Sequence, residues 1–356
     1  MSAGFVHAVL VRSDHAPVVV SRDGLIEPDA FPGPPVSSLA WANHVRPERL
    51  ARAARSVALG RVARRHDAVA VHAHFGYAAH DVLGLVAHRH LPLVLSLHGD
   101  DATALPARHA GHYDALVGRV DALVVPSHWL AARTAELGFP PERTHVIPSG
   151  VDLEHFTPTP VPTDRRTVAF VGRFVEKKGL DVLLAAWPTV RAAIPDAELH
   201  VLGDGALLPL VTAQAAHSSS GVTHHRPDPV RRHEQVRDLL RDATVVATPS
   251  RTAGDGDAES LLLVNLEAQA SGRAVVTTRH GGIPEFVEEG KTALVVAPDD
   301  ADALADALVA VLHDPALAGR MGAAGPAVAA RFSLDAAGAA VDRVYDSLLE
   351  ASPRNR

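Results

Sequence analysis

The stretch "FVGRFVEKKGLDVLLAAW", Phe170–Trp187, sets the reading of the whole chain. Its first residues are a short apolar run that ends at Val171, Gly172 turns the chain, and a helical pattern starts near Gly179. Strand, tight turn and helix in this order form the opening of a parallel β-α unit. Arg173 and Lys178 fall between the strand end and the helix start. Cations placed beside the positive end of a helix suit an anion. Basic residues on a solvated loop have the same local pattern, and the segment alone leaves both readings open. It matches neither G-x-x-x-x-G-K-[ST] nor G-x-G-x-x-G.

Outward from this stretch the same unit repeats. Strands are expected at Phe5–Val11, Ala68–His74, Leu93–Gly99, Ala122–Ser127 and Thr144–Gly150. A second series follows at Thr167–Gly172, Glu198–Gly203, Thr244–Ser250, Ala274–Thr278 and Ala293–Val296. Continuous apolar strands alternating with helices imply parallel sheets covered on both faces. The fold class is therefore α/β, twice over. The 356 residues suit two domains of about 150 each. The proline-rich "TPTPVPTD", Thr157–Asp164, can continue neither a helix nor a central strand and reads as a linker. This gives an N-terminal domain over 1–156 and a second over 165–334. The helix expected at Asp335–Ala351 would pack back onto the first. Open parallel sheets bind ligands beyond the carboxyl ends of their strands, so two facing sheets would make a cleft between domains.

Composition narrows the function. The net charge of −7 argues against nucleic acid as the main partner. The absence of cysteine excludes disulfides and thiolate-bound zinc and suits a reducing compartment. The opening "MSAGFVHAVLVRSD" reads as a strand rather than a signal peptide, and no apolar run approaches membrane-spanning length. A cytoplasmic protein is expected.

"ESLLLVNLE" places Glu259 and Glu267 at the two ends of a leucine-rich run. At 1.5 Å per helical residue the acids would stand ~12 Å apart. That distance spans a nucleotide sugar from hexose to ribose, with a helix N-terminus between them for the diphosphate. Solvated acids flanking an amphipathic helix are the plainer alternative. In the first half, "LSLHGDD" puts His98, Asp100 and Asp101 at a strand's carboxyl end. His72, His74 and His80 in "VHAHFGYAAHD" could ligate a metal, but no companion set is evident and no metal site is expected. The arginine-rich segment 46–66 reads first as a solvated helix face, with weak contact to a membrane surface as the alternative.

Taken together, these segments resemble the family-4 retaining glycosyltransferases of the GT-B fold, which has two Rossmann-like domains. The resemblance covers nearly the whole chain. It is carried by "VIPSGVDLEHFTP", "FVGRFVEKKGLDVLLAAW", "HVLGDGAL" and the E-x7-E segment "ESLLLVNLEAQASGRAVVTTRHGGIPEFVEEGKTALVVAPDD". It implies that Gly172, Arg173 and Lys178 meet the donor diphosphate. It further implies that Glu259 meets the donor sugar and Glu267 the ribose, with backbone contacts from Leu262 and Leu263. His98, Asp100 and Asp101 would lie on the acceptor side, with His98, Arg173, Lys178 and Glu259 catalytic. The implied reaction moves a hexosyl group from a nucleoside-diphosphate sugar, expected to be a UDP-sugar, with retention. The acceptor would be a hydroxyl of a natural product, an aminocyclitol or a polysaccharide precursor. No cofactor and no metal are implied. A non-catalytic nucleotide-sugar or carbohydrate binder and a nucleotide-sugar epimerase are the rivals on this scaffold.

The chain departs from the family pattern in three places. "LVRSDHAPVVVSRDG" lacks the Gly-Gly pair that follows the first strand in relatives. Leu262 stands where the family has Gly or Pro and would narrow the sugar pocket. "GVTHHRPDP", Gly221–Pro229, replaces a more apolar segment near the base.

Overall fold

The computed structural model describes residues 9, 12–21, 36–39, 48–228 and 231–351. The expected first strand Phe5–Val11 lies outside these, apart from Val9. The chain divides into two compact units, Met1–Gly150 with Leu334–Arg356, and Val151–Ser333.

In the first unit β1 (Val19–Ser21) pairs in parallel with β2 (Val36–Ser38). A separate parallel sheet holds β3 (Val71–His74), β4 (Leu93–Ser96), β5 (Ala122–Val125) and β6 (Thr144–Val146), in that spatial order. Every residue of β4 and of β5 is buried, as continuous apolar runs require. Several strands stop short of the lengths expected from sequence. β5 ends before Pro126, and Ser127 instead caps the helix His128–Glu136, its hydroxyl accepting from the Leu130 amide. The last helix, Leu334–Ala351, packs Val344 against Val94, Ala122 and Val124 of this unit's sheet.

The second unit carries β7 (Thr167–Val171), β8 (Glu198–Leu202), β9 (Val222–His225), β10 (Val245–Thr248), β11 (Ala274–Thr278) and β12 (Ala293–Val296). Their spatial order is β12-β11-β10-β7-β8-β9, all parallel. Read from β9, this is the doubly wound order in which the winding reverses between β7 and β10. Side-chain alternation gives the sheet two cores. Val168, Phe170, Val245 and Val276 face one cluster, while Ala169, Val246 and Val275 face the other. β9 was not expected, because Thr-His-His reads as polar loop; it forms at the sheet edge, where one face is wet. The proline-rich Thr157–Asp164 contains neither helix nor strand, and buried Arg273 donates to the Thr159 carbonyl at 2.7 Å.

No helix among the described residues is long and apolar enough to cross a membrane. The arginine-rich segment forms the helix Glu48–Arg65. Arg55 is buried against Asp81 at 2.8 Å, while Leu50 and Val57 are exposed.

Candidate functional site

The reversal of winding places the ends of β7 and β10 side by side, where open α/β sheets hold their ligands. After β7 the chain turns through Gly172 and Arg173 into a single 3-10 turn, Glu176–Lys178, before the helix Leu180–Ala193. Gly179 joins turn to helix at φ +64°, and a Cβ there would meet the Pro249 carbonyl oxygen at 1.8 Å. Only glycine permits both the left-handed backbone and this close approach of the two strand exits.

After β10 the chain runs through Thr252–Ala258 to Glu259 and reaches the helix Leu263–Ala270. Glu259 therefore lies on irregular backbone upstream of the helix. The ~12 Å separation from Glu267 assumed continuous helical rise and does not apply. Close packing fixes the Glu259 backbone instead. Its amide donates to His280 Nε2 at 3.2 Å and its carbonyl accepts from the Gly282 amide at 3.0 Å. A Cβ on Gly281 would collide with the same carbonyl.

The two turns meet through charge. Lys178 Nζ lies 2.8 Å from Glu259 Oε1, and the Glu259 side chain is only 7% exposed. Lys177, which sequence reasoning passed over, points inward. Its Nζ is 2.9 Å from Asp257 and 3.9 Å from Glu259. Burial opposes ionisation of Glu259, but Lys178 and Lys177 outweigh it and hold the carboxyl below its ordinary range. Arg251 ties the same region together, donating to Asp181, to Asp299 and to the Glu176 carbonyl. Arg173 is exposed on the β7 turn. The arrangement presents cations, a helix start and a buried carboxylate beyond the carboxyl ends of the two central strands, a setting suited to an anionic, hydroxyl-bearing ligand.

Glu267 sits within the helix Leu263–Ala270, partly buried, and desolvation pushes its carboxyl up to about 7. The helix is pinned from behind: Thr248 Oγ1 donates to Asn265 Oδ1 at 2.8 Å, and Gln269 Nε2 donates to the Phe286 carbonyl at 2.9 Å. Leu262 does not narrow a pocket. Its side chain is 4% exposed and belongs to the core, because the extended backbone at this position turns it inward. Leu263 packs partly against the same core.

In the first unit, His98 follows β4. Asp101 is buried and is used by the backbone, its Oδ1 accepting from the His98 and Gly99 amides at 2.9 Å each. Burial raises its carboxyl to about 6. Asp100 is exposed and paired with Arg108. Asp101 thus shapes the turn that carries His98, a role that a run of polar residues after a strand does not reveal. His74 Nδ1 lies 3.2 Å from His98 Nε2, and His72 stacks on His74 with ring centres 4.2 Å apart. His80 is separate, its Nε2 bonded to the His112 carbonyl.

Comparison with known proteins fits this geometry. Residues 7–155 match Glycosyltransferase Family 4, and residues 165–314 match Glycosyl transferases group 1. The GDP-mannose-dependent alpha-(1-6)-phosphatidylinositol monomannoside mannosyltransferase of Mycolicibacterium smegmatis is 37% identical over 220 residues, 58% of this chain and 56% of that protein. The D-inositol 3-phosphate glycosyltransferase of an Arthrobacter species is 37% identical over 225 residues, 57% of this chain and 51% of that one. The chain thus matches little more than half the length of these curated relatives. Anabaena HepE, crystallised with UDP and glucose, superposes with a TM-score of 0.77 at 18% identity, covering 96% of this chain and 95% of that one. With both halves matched and the doubly wound sheet in place, the chain belongs to the family-4 glycosyltransferases of the GT-B fold.

Proposed function

We propose that this protein transfers a hexosyl group from a nucleoside-diphosphate sugar to an alcohol, with retention at the anomeric carbon. The Lys178–Glu259 pair at the ends of β7 and β10 carries this reading. The diphosphate would lie against Arg173, Lys178 and the backbone at Gly172. Glu259 would accept from the sugar hydroxyls and Glu267 from the ribose. Charge that develops on the leaving diphosphate would be stabilised by preorganised cations, the usual main source of such catalysis. The donor phosphate oxygen would take the acceptor's proton on the attacked face. On this reading no divalent ion is needed at the diphosphate.

The sequence-based expectation of a UDP-sugar gives way to GDP-mannose as the first donor to test, because a relative at 37% identity is named for it. The acceptor class to test first is likewise an inositol-bearing glycolipid or inositol phosphate, after the names of the relatives. Aminocyclitols and polysaccharide precursors come second. The exposed Leu50 and Val57 on the arginine-rich helix would suit brief contact with a membrane carrying such an acceptor.

The test is a donor panel with and without acceptors, read by mass spectrometry and by release of nucleoside diphosphate. Transfer releases diphosphate mainly when an acceptor is present. A non-catalytic binder would release none, and an epimerase would convert the sugar without release; either result overturns the proposal.

A further inference from the structure

The imidazoles at the carboxyl ends of β3 and β4 form a connected set. His72 Nδ1 meets the Tyr345 hydroxyl at 2.6 Å and its Nε2 meets Ser96 Oγ at 2.7 Å. His72 stacks on His74, and His74 lies parallel to His98 with ring centres 5.4 Å apart. One hydrogen bond joins His74 Nδ1 to His98 Nε2. Phe75 closes over another side of His98, ring centres 4.6 Å apart. Burial keeps all three imidazoles neutral near pH 7, His74 down to about 4.

Neutrality leaves two ways to place the protons. His74 Nε2 is buried with no hydrogen-bond partner among the described residues. If His74 carried its proton there, the protein would bury an unpaired N–H donor. If it carries the proton on Nδ1, the orphan is a bare lone pair, and unpaired buried donors are the rarer and costlier case. We propose that His74 is a positioning residue: its Nδ1–H donates to His98 Nε2 and holds His98 as the Nδ1-protonated tautomer with a fixed ring orientation. The Asp101 carboxylate fixes the His98 backbone amide at 2.9 Å, and His74 fixes its ring. His72, anchored by Ser96 and by Tyr345 of the last helix, backs His74 from behind.

The effect on catalysis rests on the transferase reading above, but the tautomer does not. Long-range proton–nitrogen spectra of histidine-labelled protein without ligand report it directly. His98 should carry its proton on Nδ1, with Nε2 bare. In His74→Asn, whose amide N–H takes the place of the imidazole Nδ1–H, His98 should keep that state. In His74→Phe it should shift to a mixture of tautomers. Turnover, where present, should fall about tenfold in His74→Phe with most of the loss in kcat, and His74→Asn should recover most of it. A proton on His98 Nε2 in the wild-type protein overturns the proposal even if the variants fail to fold. Equal losses in His74→Asn and His74→Phe overturn the positioning role. Absence of any sugar transfer alongside the expected tautomer counts against the proposed function alone.

Discussion

Lys178 and Glu259, 81 residues apart in the chain, meet as an ion pair of 2.8 Å at the point where the winding of the second sheet reverses. Each would also touch the donor, so binding must share or break the pair. Lys178→Ala should lower kcat by on the order of 10²-fold, through loss of charge at the leaving diphosphate. It should also destabilise the protein by about 1–3 kcal/mol, since Glu259 stays buried and keeps Lys177, 3.9 Å away, as its nearest remaining lysine. Glu259→Gln in the Lys178→Ala background should recover part of that stability. Urea denaturation of the two single variants and the double gives the coupling; simple additivity would mean the pair is not formed.

Glu267 gives the clearest pH signature. Its carboxyl, raised to about 7 by burial, is neutral well below that pH and charged above it. On the proposed function the charged form would accept from ribose hydroxyls, so wild-type affinity for the nucleoside diphosphate should gain on that of Glu267→Gln as pH rises from 6 to 8. Stability runs the other way. A carboxyl whose folded value lies above its unfolded value stabilises at low pH, and the benefit is lost as pH rises through about 7. Glu267→Gln should therefore melt higher relative to wild type at pH 8 than at pH 5. A difference that is flat with pH in both measurements would remove Glu267 from the site.

Gly179→Ala tests the approach of the two strand exits. A left-handed backbone and a Cβ at 1.8 Å from the Pro249 oxygen should together cost ~2–3 kcal/mol. Lys178 would shift with the turn, so diphosphate affinity should fall as well. Unchanged affinity in the folded variant would show that the β7 turn does not shape the site.

Metal dependence is decided by chelation. Lys177 already neutralises Asp257 at 2.9 Å, so the acidic loop Gly254–Asp257 has an internal cation. Activity should survive EDTA. Loss on chelation that magnesium or manganese restores would point to Asp255 and Asp257 as ligands.

The fold was legible because inner strands such as β4, β5 and β10 are largely continuous apolar runs buried on both faces, a pattern that periodicity detects. β9 escaped because an edge strand tolerates Thr223, His224 and His225. The positions of Arg173, Lys178 and Glu259 at strand exits were legible from the same pattern. Their partners were not. Nothing in "EKKG" tells which lysine points inward; the 3-10 turn decides it, turning Lys177 to Asp257. The acidic "GDGD" ahead of Glu259 was the available signal, since a packed acidic loop needs a counter-charge. Leu262 misled because it was compared with glycine at a pocket wall, whereas the extended backbone there directs the side chain into the core. Asp101 misled because backbone capping and ligand contact ask for the same residue type.

The central claim is that the donor diphosphate lies at the exits of β7 and β10. Calorimetric titration of free GDP and UDP into the wild-type protein and into the Arg173→Ala, Lys178→Ala double variant tests it most directly. The account predicts measurable binding of at least one diphosphate by the wild type, weakened by about 10²-fold or more in the double variant, equivalent to ~2.7 kcal/mol. Equal affinity in the two proteins, with the double variant folded, would contradict it.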